Sequence, residues 1–355
     1  MSASPALAIQ PLLSEPERAR ELPLAFNAAS SEYFRIWIVN LFFSVITLGI
    51  YSAWAKVRKK RYFYGMTMLD GATFDYLANP IAILKGRLAA FALFVLYAFT
   101  TEVYPWALAV FAVLFLLMLP WLVVRASIFN ARNSAYRGLR FDFVGSVKDA
   151  AKLFIGFALL MPLTFGLIYP MFVARQKRFI ARHHAYGDSQ FDCELESSNF
   201  YSIYLRAFLI VLALSLLVAG AVGAMFAANS DGTASWIMGI APLFGIYFAY
   251  LIAFAYLQAR VGNLVWNNLR LPGVQFTSNL QAIEMIKLYL SNTAAILLSA
   301  GLLIPWATVR MARYRLERLT VTARTDSDRF TASRGQSGSA AGQEMGDLFN
   351  IDFGL

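Results

Sequence analysis

Seven apolar segments, roughly residues 34–55, 88–104, 106–124, 153–174, 207–228, 236–258 and 288–309, have no Asp, Glu, Lys or Arg in their middle. Apolar runs of about 20 residues are long enough to cross the hydrocarbon core of a bilayer. The segments therefore predict a polytopic α-helical membrane protein. The ionisable residues sit at segment ends (Arg35, Arg87, Glu102, Lys152, Arg206, Lys287), where long basic side chains snorkel to the headgroups. Trp54, Trp106, Trp121, Trp236 and Trp306 lie near segment ends as well, as interfacial anchors should.

Composition agrees with that class. The chain is 59% hydrophobic and only 15% charged, with a net charge of +10. The positive charge is divided among loops rather than gathered in one patch. This distribution argues for cytoplasmic loops of a membrane protein and against a nucleic-acid partner. A single cysteine, Cys193, leaves no intrachain disulfide. Residues 1–21 have no basic start followed by an apolar middle, so they read as a disordered tail rather than a signal peptide. Leu22–Phe26 is short and apolar enough for a strand. The polar stretch from Thr331 is predicted to be flexible, up to an acidic and aromatic run at 345–355. That run reads either as a docking peptide or as a frayed end.

One basic motif recurs. Aligning Arg58, Arg125, Arg175 and Arg260 places Gly71, Gly138, Asp188 (after Gly187) and Gly273 thirteen residues on. Phe74, Phe141, Phe191 and Phe276 follow at sixteen. A fifth copy from Arg310 would place its Phe at 330, with a longer turn at 325–328. A turn pair between alternating apolar stretches predicts a β-hairpin, with Gly supplying positive φ. The Phe row is expected to give a cytoplasmic sheet an apolar face lying on the membrane domain. Gly49, Gly166 and Gly301 stand nine residues before Arg58, Arg175 and Arg310. The repeats are placed at about 33–150, 151–285 and, in part, 286–330, within a membrane domain over 22–330.

Charge then bears on topology. All five motif loops are basic, whereas 101–105 and 228–235 contain no Lys or Arg. By the positive-inside rule the motif loops and the C-terminus are expected in the cytoplasm. Segments 1, 4 and 7 would then begin and end on one side. They are read as broken or re-entrant, bent near Thr47–Gly49, Pro162 and 292–301, with close backbone approach at the glycines. The alternative is three full spans with one loop that breaks the rule.

Glu32–Leu41, Thr47–Arg58, Arg61–Gly65, Leu69–Gly71, Phe74–Tyr76 and Lys85–Arg87 resemble the YjgN-like family of bacterial inner-membrane proteins. So does Ile351–Leu355, and the likeness covers nearly all of the chain after residue 22. Met66 departs from it, standing where the family usually has a polar residue. The resemblance implies a bacterial cytoplasmic membrane location and supplies no catalytic residues.

The chain contains no phosphate-binding Gly loop, nucleophile elbow or metalloprotease helix. His183-His184 has no further ligand at helical spacing and reads as a loop pair. Neither an enzymatic activity, a cofactor nor a metal is expected. Two functions remain open. Passive or exchange-type transport of a small solute or lipid would use a polar cavity at the bends, lined by Asn40, Thr47, Thr164, Asn292 and Ser299. A non-catalytic scaffold would bind the bilayer's anionic headgroups through Arg58, Arg125, Arg175, Arg260 and Arg310.

Overall fold

The computed structural model describes residues 20–228 and 235–324. Strands β1 (Arg20–Leu22) and β2 (Leu24–Phe26) come first, separated by Pro23, which cannot donate to a ladder. Helices α1 (Ser30–Ile46) and α2 (Ser52–Met66) lead into β3 (Thr67–Leu69) and β4 (Ala72–Tyr76). Next, α3 (Pro80–Val103) and α4 (Ala107–Arg132) lead into β5 (Ser134–Tyr136) and β6 (Leu139–Phe143). Then α5 (Val147–Leu163) and α6 (Tyr169–His183) lead into β7 (His184–Tyr186), β8 (Ser189–Gln190) and β9 (Asp192–Cys193). Helices α7 (Ser197–Ala228) and α8 (Ser235–Asn267) precede β10 (Leu269–Leu271) and β11 (Val274–Ser278). Last come α9 (Ala282–Leu298), α10 (Ile304–Glu317) and β12 (Leu319–Ala323).

All strand pairs are antiparallel, and their order runs β2-β3-β4-β5-β6-β7-β8 and β9-β10-β11-β12-β1. Only Pro23 separates β1 from β2, and only Phe191 separates β8 from β9. The ladder therefore returns to its start as a closed barrel of ten strands, two of them interrupted. Closure leaves no open edge among the described strands for another chain to pair with.

The Phe row behaves differently from expectation. It does not lie on a membrane domain: Phe74, Phe141, Phe191 and Phe276 turn into the barrel and pack with Tyr136, Tyr186 and Val321. Phe74 faces Tyr136 across the ladder, Phe141 faces Tyr186, and Phe276 faces Val321. In the same register Leu24 faces Leu69. The N-terminal strand thus supplies the fifth position of the row, with Leu instead of Phe. Phe330 and the turn at 325–328 lie outside the described residues. The boundary drawn at residue 21 also moves, because β1 already begins at Arg20.

The turns explain their glycines. Asp70-Gly71 (φ 45° and 77°) and Arg137-Gly138 (φ 49° and 77°) have both central residues at positive φ. That is the two-residue turn whose twist matches paired strands. Gly187 (φ 58°) and Gly273 (φ 77°) serve the other two.

Each helical pair leaves the barrel and returns to it, because its flanking residues face each other in the ladder. The facing pairs are Phe26 and Thr67, Tyr76 and Ser134, Phe143 and His184, Cys193 and Leu269, and Ser278 and Leu319. Segments 1, 4 and 7 are accordingly helical hairpins with both ends on the barrel, not full spans. Among the described residues, four helices are long and apolar enough to cross a membrane, and they belong to α3, α4, α7 and α8. Every motif arginine stands nine residues before a strand, so the five share one level. From there α2 rises about 14 Å to Gly49 and α4 about 30 Å to Pro105. Around the ring each helix packs on its sequence neighbours, and α10 packs on α1.

Candidate functional site

The barrel is not filled. A cavity of about 570 Å³ runs through it, walled by Phe74, Tyr136, Phe141, Tyr186, Phe191 and Phe276 and floored by helix ends at Ser127, Asn130 and Trp266. The phenols point their polar ends at the wall: Tyr136 donates to the Leu69 carbonyl (2.7 Å) and Tyr186 to the Tyr136 carbonyl (2.9 Å). Burial pushes the Tyr186 hydroxyl up to about 12. At the turn end Asp70 is held by Arg137 (2.6 Å) and Arg20 (2.9 Å).

His184 borders this cavity. The histidine pair is not in a loop: His183 ends α6 and His184 begins β7. Their Nδ1 atoms lie 2.7 Å and 2.8 Å from the carbonyls of Phe179 and Ile180. Burial pushes His184 down to about 4, outweighing that carbonyl, so the ring is neutral at neutral pH. Burial also raises the Cys193 thiol to about 11, which makes it a poor nucleophile. Among the described residues no three His, Cys, Asp or Glu side chains are placed to hold a metal ion.

A second cavity, of about 740 Å³, lies between α2, α8, α9 and α10 and shares Tyr64 with the first. Because α2 and α8 are not neighbours around the helix ring, this cleft is on the inside of the ring. Lys56, Lys59, Lys60 and Arg315 line it together with Leu251, Ile296 and Ile304.

Four of the five motif arginines lie over an aromatic ring. Arg125 lies over Trp121 (5.9 Å), Arg175 over Phe157 (5.4 Å), Arg260 over Tyr256 (5.9 Å) and Arg310 over Trp306 (5.0 Å). These distances are within cation–π range. Arg58 instead donates to the Tyr51 hydroxyl at 3.3 Å. Sequence reading missed a second row three residues on. Arg61 reaches the Tyr76 carbonyl (3.2 Å), Asn263 the Leu280 carbonyl (2.8 Å) and Arg313 the Ala28 carbonyl (2.8 Å). These side chains tie three of the five strand-to-helix links to the preceding helix. The shared offset from the motif arginine was the signal for them.

Of the residues expected at a polar cavity, only Asn292 borders the cleft. It accepts from Arg310 (3.1 Å) and donates to the Ala307 carbonyl (3.4 Å). Asn40 is buried in α1 with its Oδ1 unpartnered. The hydroxyls of Thr47 (2.7 Å to the Phe43 carbonyl), Thr164 (3.0 Å to Leu160) and Ser299 (3.2 Å to Ile296) bond within their own turns. Thr47 and Ser299 also accept from the N–H groups of Tyr51 and Leu303. Pro162 sits in the last turn of α5 rather than at the bend. The bends are at Leu48-Gly49, Phe165-Gly166 and Ala300-Gly301, each a pair at positive φ. Close backbone approach is not the reason for those glycines. A Cβ would meet nothing within 4 Å at Gly49 or Gly166, and only Ile304 at 3.6 Å at Gly301. The tips are apolar: Leu48 and Phe165 are each 95% exposed.

Comparison with known proteins places these features in a lineage. Residues 21–348 match the family model described as "Bacterial protein of unknown function (DUF898)". The chain is 26% identical over 145 residues to "Inner membrane protein YjgN" of Escherichia coli (strain K12), covering 41% of this chain and 36% of that protein. It is 29% identical over 128 residues to the Salmonella typhimurium protein of the same name, covering 36% and 32%. The matched region thus spans about a third of the length of these curated relatives. No solved structure matches. Apolar helices and inner-membrane relatives together support a bacterial inner-membrane location. Because the family match runs across nearly the whole chain, the protein belongs to the DUF898 family of bacterial proteins, the YjgN-like inner-membrane proteins.

Proposed function

We propose that this protein is a passive or exchange-type carrier of a small amphiphile, with the barrel as its chamber on the cytoplasmic side. The unfilled barrel carries the reading. Structural interiors are close-packed, and a barrel serving only as a platform gains from filling its centre with side chains. Here an aromatic-walled space of about 570 Å³ is kept instead. It meets a basic cleft at Tyr64, so an apolar compartment adjoins a charged one. The basic motif loops support a cytoplasmic barrel, and the fixed offsets support descent of the helical hairpins from one repeated unit.

The test is binding and flux of a fluorescent fatty-acyl probe with protein reconstituted in vesicles. Val274→Trp and Val321→Trp add bulk inside the cavity and are expected to abolish both while the protein stays folded. Unchanged uptake by either folded variant overturns the reading. A second reading, a scaffold held on anionic lipid, is favoured by the five arginines at one level, each with an aromatic partner. Under it, lipid association is indifferent to barrel filling.

A further inference from the structure

We propose that the cleft between α2, α8, α9 and α10 binds the phosphate of an anionic phospholipid, whose acyl chains lie against its apolar end. This deepens the carrier reading by naming its ligand class.

The charge pattern points to an anion. Lys56, Lys59, Lys60 and Arg315 line the cleft, and no Asp or Glu is among its lining residues within the described part of the chain. The three lysines fall at i, i+3 and i+4 of α2, on one helix face, with Phe63 a turn further along the same face. Arg315 is held 3.2 Å from the Tyr289 hydroxyl and Lys60 3.5 Å from the Asn130 Oδ1. Ammonium groups suit phosphate as point charges, and a guanidinium adds directed donors.

The polarity along α10 points to a lipid rather than a free anion. From Ile304, beside the hairpin turn, to Arg315, near the strand, α10 rises about 16 Å. The deep end is Ile304, Ile296 and Leu251 and the shallow end is Arg315. Apolar depth below a basic level is the profile of one phospholipid with its head toward the barrel. A free phosphate would leave the apolar end unused.

The measurement is lipid retention by the purified full chain, read by native mass spectrometry after exchange into mixed micelles of phosphatidylglycerol and phosphatidylcholine. Wild type is expected to retain phosphatidylglycerol in at least tenfold preference. Lys59→Gln and Arg315→Gln should each lower that preference about fivefold, and Lys59→Arg should restore it. Arg140→Gln, an exposed basic position on β6 outside the cleft, should leave it in place. Equal loss in the Arg140 variant reduces the effect to general surface attraction and overturns the proposal. So does displacement of the lipid by millimolar inorganic phosphate, which would make the cleft a free-anion site. Displacement by a synthetic 345–355 peptide that phosphatidylglycerol cannot reverse would assign the cleft to this chain's own acidic run, and also overturns it. Val321→Trp separates the two readings: it empties the chamber of probe but should leave phosphatidylglycerol retention intact.

Discussion

Gly71 and Gly138 have room for a side chain, since nothing lies within 4 Å of a Cβ built on either. Their φ of 77° is what excludes one. Val at either site is therefore expected to cost about 1–3 kcal/mol of stability, and Asn distinctly less, because Asn tolerates that backbone region. Thermal melts of the two variants at one site settle it, and equal midpoints refute a strained turn. His184 gives a pH signature. Its folded value of about 4 lies below the ordinary value of 6.5, so between those limits the unfolded chain binds more protons. Its contribution is complete above pH 6.5 and is lost as pH falls toward 4, at no more than about 1.4 kcal/mol per pH unit. A His184→Asn variant should show a flatter dependence of melting midpoint on pH over that window. Parallel curves would mean that the ring is solvated. Phe141 and Phe191 are each followed by an Asp. Arg132 pairs with Asp142 (2.7 Å) and Arg182 with Asp192 (3.3 Å), locking helix to strand within a unit.

The three short hairpins turn by the same backbone device. The N–H of Gly49 reaches the Ser44 carbonyl (2.7 Å), that of Gly166 the Met161 carbonyl (3.0 Å) and that of Gly301 the Ile296 carbonyl (2.8 Å). This is the six-residue closure that ends a helix through a left-handed residue, here Leu48, Phe165 and Ala300, with the glycine next in line and also at positive φ. Leu at any of the three should destabilise by about 1–3 kcal/mol through φ alone, although leucine favours a straight helix. A variant that folds as well as the parent would show that the turn does not need the glycine. The tips test the environment. Leu48 and Phe165 are almost wholly exposed and apolar, and if the arginine level marks the headgroups, about 14 Å of helical rise would bring them near the bilayer midplane. Cysteines at these two sites should resist a charged maleimide added to either side, whereas a lipophilic one should label them. Fast reaction with the charged reagent would place the tips in water.

The assembled molecule is a barrel with two long and three short helical hairpins standing on it, which predicts one sidedness. Reporters fused after Tyr76, Phe143, Cys193 and Thr277 should all read cytoplasm, and fusions within 101–105 and 229–235 should read periplasm. A periplasmic signal at Cys193 would contradict hairpin α5–α6. Most of the local structure was legible in the residues. Uncharged runs mark the helices, because hydrocarbon tolerates no unpaired charge. The glycine pairs mark the turns, because other side chains resist positive φ. The nine-residue offsets mark the hairpins, because they count helical rise between two fixed levels. Closure of the sheet was not legible. It depends on Arg20–Leu22 meeting β12 and Leu24–Phe26 meeting β3, contacts between distant parts of the chain that no local pattern encodes. The direction of the Phe row followed from closure: alternation separates two faces of a strand, but only a closed ring decides which face is inside. The cleft is likewise tertiary, since its lysines and its apolar end come from segments about 190 to 250 residues apart, brought together because β1 seals the ring against β12.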